Sequence, residues 1–278
     1  MTASFTPVSR LKAEGLKAGY GERTVLDGVD FSVPEGRLTA LLGPNGSGKS
    51  TLLKTLARTI VPSFGKVLLD GVDIHRHSTR DVARNLGLLP QGPEAPEGLT
   101  VRELVSLGRS PYQSFWRQNS REDETAVTEA MERTDVAQFA DRSVDALSGG
   151  QRQRCWIALV LAQQTDIILL DEPTTYLDLR VQVGLLELLS SLAHDSGRTL
   201  LVVLHDLNLA AAYADELVMM RDGQILHRGT PDEVFTPSNL NQVFGLDANV
   251  IRDAESSTLV CVPRRYSSRA GEERSWGV

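Results

Sequence analysis

The hydrophobic residues of this chain change period along its length, and the changes mark out its elements. In "VDFSV", Val29, Phe31 and Val33 alternate with polar residues after "GYGERTVLDG", which predicts antiparallel strands near the start. "LTALL" is a short unbroken apolar run of the kind found in strands buried on both faces. It feeds the glycine-rich "GPNGSGKS". Leu52, Leu53, Leu56, Ala57 and Ile60 then recur at helical spacing, and a helix is expected to run until Pro62 and Gly65 stop it. "KVLLDGVDI" predicts a strand and a turn, and "LGLLPQ" a further buried strand ended by Pro90.

From residue 92 to about 147 the strand pattern disappears. Thr100 and Glu103 have the spacing of a capping box for a helix through Leu107, and Ala126, Val127, Ala130 and Met131 mark a second helix. This stretch reads as a helical insertion. "LSGGQRQR" follows, with two glycines at a helix start, and then the α/β rhythm returns. "IILL" predicts a strand, Asp178 opens a helix through Leu192, "TLLVVL" is another strand, and a helix begins near Asp206. "ELVMMRDGQILHRG" is a hairpin turning at Asp222 and Gly223, and the polar tail from residue 267 is expected to be mobile.

Composition narrows the class. With 278 residues and 41% apolar side chains, the chain can bury one large α/β domain with a smaller subdomain. Its 29 basic and 36 acidic residues give a net charge of -7, which makes nucleic acid a poor default partner. The two cysteines, Cys155 and Cys261, lack metal or redox spacing and fit a reducing compartment. The N-terminus has no apolar leader core, and no apolar run approaches the roughly 18 residues that span a bilayer. A membrane role is therefore expected to come through a partner.

Chemistry concentrates at the strand ends. Gly43, Gly48, Lys49 and Ser50 satisfy G-x-x-x-x-G-K-[ST] between a predicted strand and a predicted helix. In such a loop the backbone N–H groups close around phosphate oxygens, the lysine reaches the terminal phosphates and the hydroxyl can ligate magnesium. Asp171 ends the "IILL" strand in position to hold magnesium, and Glu172 beside it can accept a proton from an attacking water. His205, after "TLLVVL", reads equally well as a γ-phosphate contact or a hydrogen-bonded structural histidine. Gln91 is either a solvated loop residue or a ligand to metal and water. Tyr20 is either a turn residue or an aromatic face for adenine.

Taken in order, "GPNGSGKST", Gln91, "LSGGQ", "IILLDEP", "YLD" and His205 closely resemble the ATP-binding cassette of ABC transporters over about residues 11–235. The resemblance implies a P-loop α/β fold with an N-terminal antiparallel β subdomain, a nucleotide-binding core and an inserted helical subdomain. It places the cassette domain at residues 11–250, with the helical subdomain near 92–155 and a partly flexible extension at 251–278. ATP and Mg2+ are the implied cofactors. Tyr20 would stack on adenine, and Gly43, Pro44, Asn45, Gly46, Ser47, Gly48, Lys49, Ser50 and Thr51 would wrap the phosphates. Ser50, Gln91 and Asp171 would hold the metal, with Glu172 as base and His205, Lys49 and Gln91 completing the catalytic set. Ser148, Gly149, Gly150 and Gln151 would clasp the nucleotide of the opposite protomer, with Asp178 on the loop that crosses to it. The loop "TTYLD" departs from the commoner "TSALD" at Tyr176.

Within that family, "SGGQRQRCWIALVLAQQTDIILLDEPTTYLDLRVQVGLLELL" and "VVLHDLNLAAAYADELVMMRDGQILHRGTPDEVF" resemble cassettes that drive uptake of ferric siderophores. Vitamin B12 and haem importers are near relatives and remain alternatives. Cys155 stands where alanine is common in that branch, and a buried, inert thiol is expected. The implied assembly is a homodimer on the cytoplasmic face of the cell membrane, with permease subunits and, indirectly, a substrate-binding protein. A cassette ATPase acting on nucleic acid would be expected to carry a coiled-coil insertion, a second cassette or a basic surface, and the sequence has none of these.

Overall fold

The structure, a computed structural model, describes residues 9–113, 120–175 and 177–264. Tyr176 and the tail from residue 267 lie outside the described residues. The alternating start forms β1 (Leu11–Tyr20) and β2 (Arg23–Val33), which pair antiparallel around the turn at Gly21 and Glu22. The apolar run becomes β3 (Leu38–Leu42), buried along its whole length, and the glycine loop leads into α1 (Lys49–Leu56). Then come β4 (Phe64–Leu69), β5 (Val72–Asp73), α2 (Thr79–Asn85) and β6 (Leu86–Leu89). The α2 helix has no counterpart in the sequence reading. Its N-cap is Ser78, whose hydroxyl accepts the Asp81 N–H.

Helix α1 is shorter than its apolar spacing suggests. It ends at Leu56 because Arg58 adopts a left-handed conformation with φ 62°, and the Thr59 N–H turns back to the Lys54 carbonyl at 2.8 Å. Ile60 still packs on the core from outside the helix.

The insertion contains α3 (Val101–Ser106) and α4 (Arg121–Arg133), and α5 (Gly149–Ala162) joins it to the core. The capping box of α3 forms as expected, with Thr100 accepting from the Glu103 N–H and the Glu103 carboxylate accepting from the Thr100 N–H. These helices enclose an apolar core of their own, including Val101, Leu104, Val127 and Met131. Cys155 faces it. Burial raises the Cys155 thiol to about 11, so at neutral pH it is protonated and inert, as expected.

Next come β7 (Ile167–Asp171), α6 (Leu179–His194), β8 (Thr199–Val203), α7 (Leu207–Tyr213), β9 (Glu216–Arg221) and β10 (Gln224–Gly229). Asp178 and Asp206 are the N-caps of α6 and α7. The chain continues through α8 (Pro231–Val234), α9 (Pro237–Phe244), β11 (Ala248–Arg252) and β12 (Leu259–Pro263). This last hairpin docks on α7, where Asn208 Oδ1 accepts the Cys261 N–H at 2.7 Å. Residue 250 therefore sits inside a strand.

Among the described residues, two large sheets organise these elements, beside the two-stranded β11-β12 pair. A four-stranded antiparallel sheet has the order β2-β1-β4-β5, and a six-stranded sheet has the order β10-β9-β3-β8-β7-β6. Strands β9, β3, β8, β7 and β6 run parallel, with β10 antiparallel at the edge. The P-loop α/β class with an antiparallel β subdomain and a helical insertion is borne out. Strands β3, β7 and β8 are buried on both faces, which explains their unbroken apolar sequences. Their carboxyl ends lie together on one side, where open α/β sheets place ligands.

In the helical part, Arg109 and Asp123 form a buried ion pair. Arg109 Nε donates to Asp123 Oδ1 at 2.8 Å with both side chains under 10% exposed, while Arg109 Nη1 donates to the Ala162 carbonyl on α5. Burial pushes the Asp123 carboxyl up, but hydrogen bonds from Arg109 and Ser120 outweigh it and hold the group below the usual carboxylate range. R109M leaves that carboxylate without its cation and is expected to cost about 3–5 kcal/mol in urea unfolding. Because the folded value is depressed, this stabilisation is complete above the ordinary carboxylate pKa. It fades as acid titrates Asp123 through its lowered value. The wild-type advantage over R109M should shrink accordingly in strong acid.

Candidate functional site

The cleft at the carboxyl ends of β3, β7 and β8 has a volume of about 620 Å³. Tyr20, Asn45, Gly46, Gly48, Lys49, Ser50, Thr51, Gln91, Glu172 and His205 line it, all anticipated from sequence. Gly43, Pro44 and Ser47 complete the loop behind this lining. Glycine is required at Gly43 because a Cβ there would lie 2.3 Å from the Met220 carbonyl oxygen, and at Gly48 because the chain enters α1 with φ 100°. The first-turn N–H groups of α1 open on this loop.

Lys49 is nearly buried, and its Nζ donates to the carbonyls of Gly43 at 2.8 Å and Pro44 at 3.0 Å. Burial lowers its pKa, while the charges of Glu172 and Asp171 pull it back up. The ammonium is thus folded against its own loop, where the two carboxylates offset part of the cost of burying its charge.

Ser50 Oγ donates to Asp171 Oδ1 at 3.0 Å, which joins the start of α1 to the end of β7. Asp171 is 1% exposed, its Oδ2 has no hydrogen-bond partner, and burial raises its pKa. A buried carboxylate oxygen left unpaired is costly unless a cation or donor meets it.

Glu172 follows in a left-handed backbone conformation with φ 54°, a strained region for a non-glycine residue. The turn swings its side chain away from the strand and into the cleft. One carboxylate oxygen lies 2.6 Å from His205 Nε2, and the other accepts from Gln91 Nε2 at 2.8 Å. Gln91 comes from beyond β6 and His205 from beyond β8, so neighbours on both sides of β7 converge on one carboxylate. From sequence alone both residues were ambiguous; the structure puts both beside Glu172.

Two lining residues were missed. Arg23 and Val25 stand beside Tyr20 at the cleft mouth, and Tyr20 is 52% exposed there. Tyr20 pairs with Arg23 across the β1–β2 turn, so the hairpin signal in "GYGERTV" was enough to find them.

Ser148, Gly149, Gly150, Gln151 and Asp178 do not line the cleft. The first four open α5, where Ser148 accepts the Gln151 N–H and Gln151 Oε1 accepts the Ser148 N–H. Asp178 accepts the Val181 N–H and lines a separate cavity with Arg133, Arg154 and Arg180.

Comparison with known proteins gives the family. The model of the ABC transporter family matches residues 26–175. The chain belongs to this family. As a cassette ATPase it binds and hydrolyses ATP. It is 50% identical over 256 residues to the probable siderophore transport system ATP-binding protein YusV of Bacillus subtilis (strain 168), covering 92% of this chain and 93% of that one. It is 49% identical to the ferric enterobactin transport ATP-binding protein FepC of Escherichia coli (strain K12), covering 92% and 94%. Among solved structures, the cassette MJ0796, a dimer in a post-hydrolysis state with ADP and Pi, superposes with a TM-score of 0.71 at 28% identity. That match covers 80% of this chain and 98% of the other. Among the described residues of this cassette, no helix is long and apolar enough to cross a membrane.

Proposed function

We propose that this cassette powers the uptake of ferric siderophores as a head-to-tail dimer on the cytoplasmic face of the membrane, beneath separate permease subunits. One observation carries the substrate class: about half of all residues are shared with siderophore and ferric enterobactin ATP-binding proteins across nearly the whole chain. The chelate never enters the cleft described above, so the nucleotide site by itself is silent on it.

The chemistry follows from the side chains. Lys49 leaves the loop carbonyls to meet the terminal phosphates, and the N–H groups at the start of α1 receive the phosphate oxygens. Magnesium fits the donor set, because Asp171 Oδ2 is buried without a partner and Ser50 Oγ adjoins the same carboxylate. Bound there, it would neutralise charge on the phosphates, with Gln91 close enough to Glu172 to serve the metal's water shell. Glu172 accepts the proton of the attacking water, and His205, whose Nε2 is 2.6 Å from its carboxylate, would contact the γ-phosphate. Tyr20, beside Arg23 and Val25, offers an exposed ring to adenine.

Phosphoryl transfer to water depends on orientation and charge stabilisation, and the donors that line this cleft come from the P-loop, Gln91, His205 and Arg23 of a single chain. Ser148, Gly149 and Gly150, which lie outside it, supply the facing wall when contributed by the partner of a symmetric pair. The function is tested by depleting the chain in its native cells and measuring uptake of radiolabelled iron-siderophore, haem and vitamin B12. Loss of siderophore uptake alone supports the assignment, and loss of only haem or B12 uptake overturns it.

A further inference from the structure

Gln153 lies just beyond the first turn of α5 and has no part in the site described above. Its Nε2 donates to the carbonyl of Pro173 at 3.1 Å. Pro173 directly follows Glu172, so the peptide that Gln153 holds adjoins the general base.

The rest of that loop is gripped in the same way. Gln182 on α6 donates to the carbonyls of Thr174 at 3.3 Å and Leu177 at 2.9 Å. Thr175 Oγ1 stands 3.4 Å from Glu172 Oε2, and its N–H donates to the Glu172 carbonyl. The loop also touches the start of α5 directly, since a Cβ on Gly150 would lie 3.3 Å from Leu177 Cδ2. Glu172 has a strained left-handed backbone, so its direction depends on how the peptide after it is held.

Helix α5 therefore has two ends to its work. In the dimer proposed above its first residues would face the nucleotide of the partner's P-loop, while Gln153 holds the loop that follows Glu172. We propose that Gln153 is a positioning residue that transmits occupancy of one ATP site to the general base of the other. The proposal rests on the shared-site reading given under Proposed function. When α5 is drawn onto the partner's γ-phosphate, the Gln153–Pro173 bond carries the displacement to Glu172. Both bases are then set only when both nucleotides are bound, which makes hydrolysis cooperative.

The test uses Q153M, which keeps the length of the side chain and removes its donor, and Q153E, which removes the donor while keeping polarity. Full-length chains carrying two different tags are combined, and mixed dimers are purified through both tags. Single-chain MgATP affinity of both variants should match wild type, which also reports correct folding. In the homodimer, kcat should fall by about ten- to a hundredfold, the scale of a mispositioned catalytic group, with KM unchanged and the Hill coefficient moving toward one. In mixed dimers with one E172Q chain, the loss should follow Q153M when it sits on the chain with the intact Glu172.

Wild-type kcat and Hill coefficient in both variants would overturn the proposal. So would a loss that follows Q153M on the E172Q chain, because Gln153 would then act on the nucleotide touched by its helix. If E172Q chains form no dimer in MgATP, the shared-site reading fails and this proposal falls with it. That result is distinct from dimers that form normally and hydrolyse ATP without regard to Gln153.

Discussion

Replacing Glu172 with glutamine is expected to slow steady-state ATP hydrolysis by about 10²- to 10⁴-fold, the usual contribution of a positioned general base. The substitution preserves shape and leaves Lys49, Ser50 and the loop around them untouched, so a single chain should still bind ATP. The amide cannot take a proton from water. It also loses one of its two acceptor oxygens, so Gln91 and His205 can no longer both donate to it as they can to the carboxylate. With chemistry blocked and binding intact, ATP-bound dimers should accumulate. Phosphate release and the binding isotherm of a fluorescent ATP analogue separate the two effects. Near-normal phosphate release would remove Glu172 from its role as base.

The second large effect is expected at Gly149. A Cβ built there meets no atom within 4 Å, so the fold of the single chain does not require glycine at this position. Ser148 is a less clean target, because its hydroxyl caps α5, and losing such a cap costs about 1 kcal/mol whatever else it does. G149V should therefore leave folding and single-chain ATP affinity intact. Its side chain fills the space a partner's phosphates would enter at the start of α5, and hydrolysis should fall by at least roughly a hundredfold, as when a preorganised donor to the phosphates is lost. Thermal unfolding and ATP titration of the single chain, set beside turnover of the assembled transporter, check both halves.

Much of this was legible in sequence because the relevant signals are local. The P-loop announces itself by glycines whose positions are fixed by close approach and by positive φ, and β3, β7 and β8 by runs too apolar for any surface. The caps at Thr100, Asp178 and Asp206 set helix starts correctly. The end of α1 was misplaced because Arg58 enters the left-handed region without a glycine or proline to signal it, while Ile60 keeps its apolar contact. Helix α2 was overlooked because it is short and buries only Val82.

In the site, sequence order could nominate Gln91 and His205 but could not show that both touch Glu172, since the three meet only through the strand order β8-β7-β6. The left-handed turn at Glu172 and the bonds of Gln153 and Gln182 to the following loop are tertiary facts with no local pattern. The separation of Ser148, Gly149 and Gly150 from the cleft is the most consequential of these facts, because the proposal of a site shared between two chains rests on it.

That sharing is tested most directly by the sedimentation mass of the E172Q chain in MgATP, with and without G149V. The E172Q chain should sediment as a dimer with MgATP and as a monomer without it, and the doubly substituted chain should remain a monomer while binding ATP with unchanged affinity. A doubly substituted chain that still dimerises, or that loses ATP affinity as a monomer, would contradict a site shared between two chains.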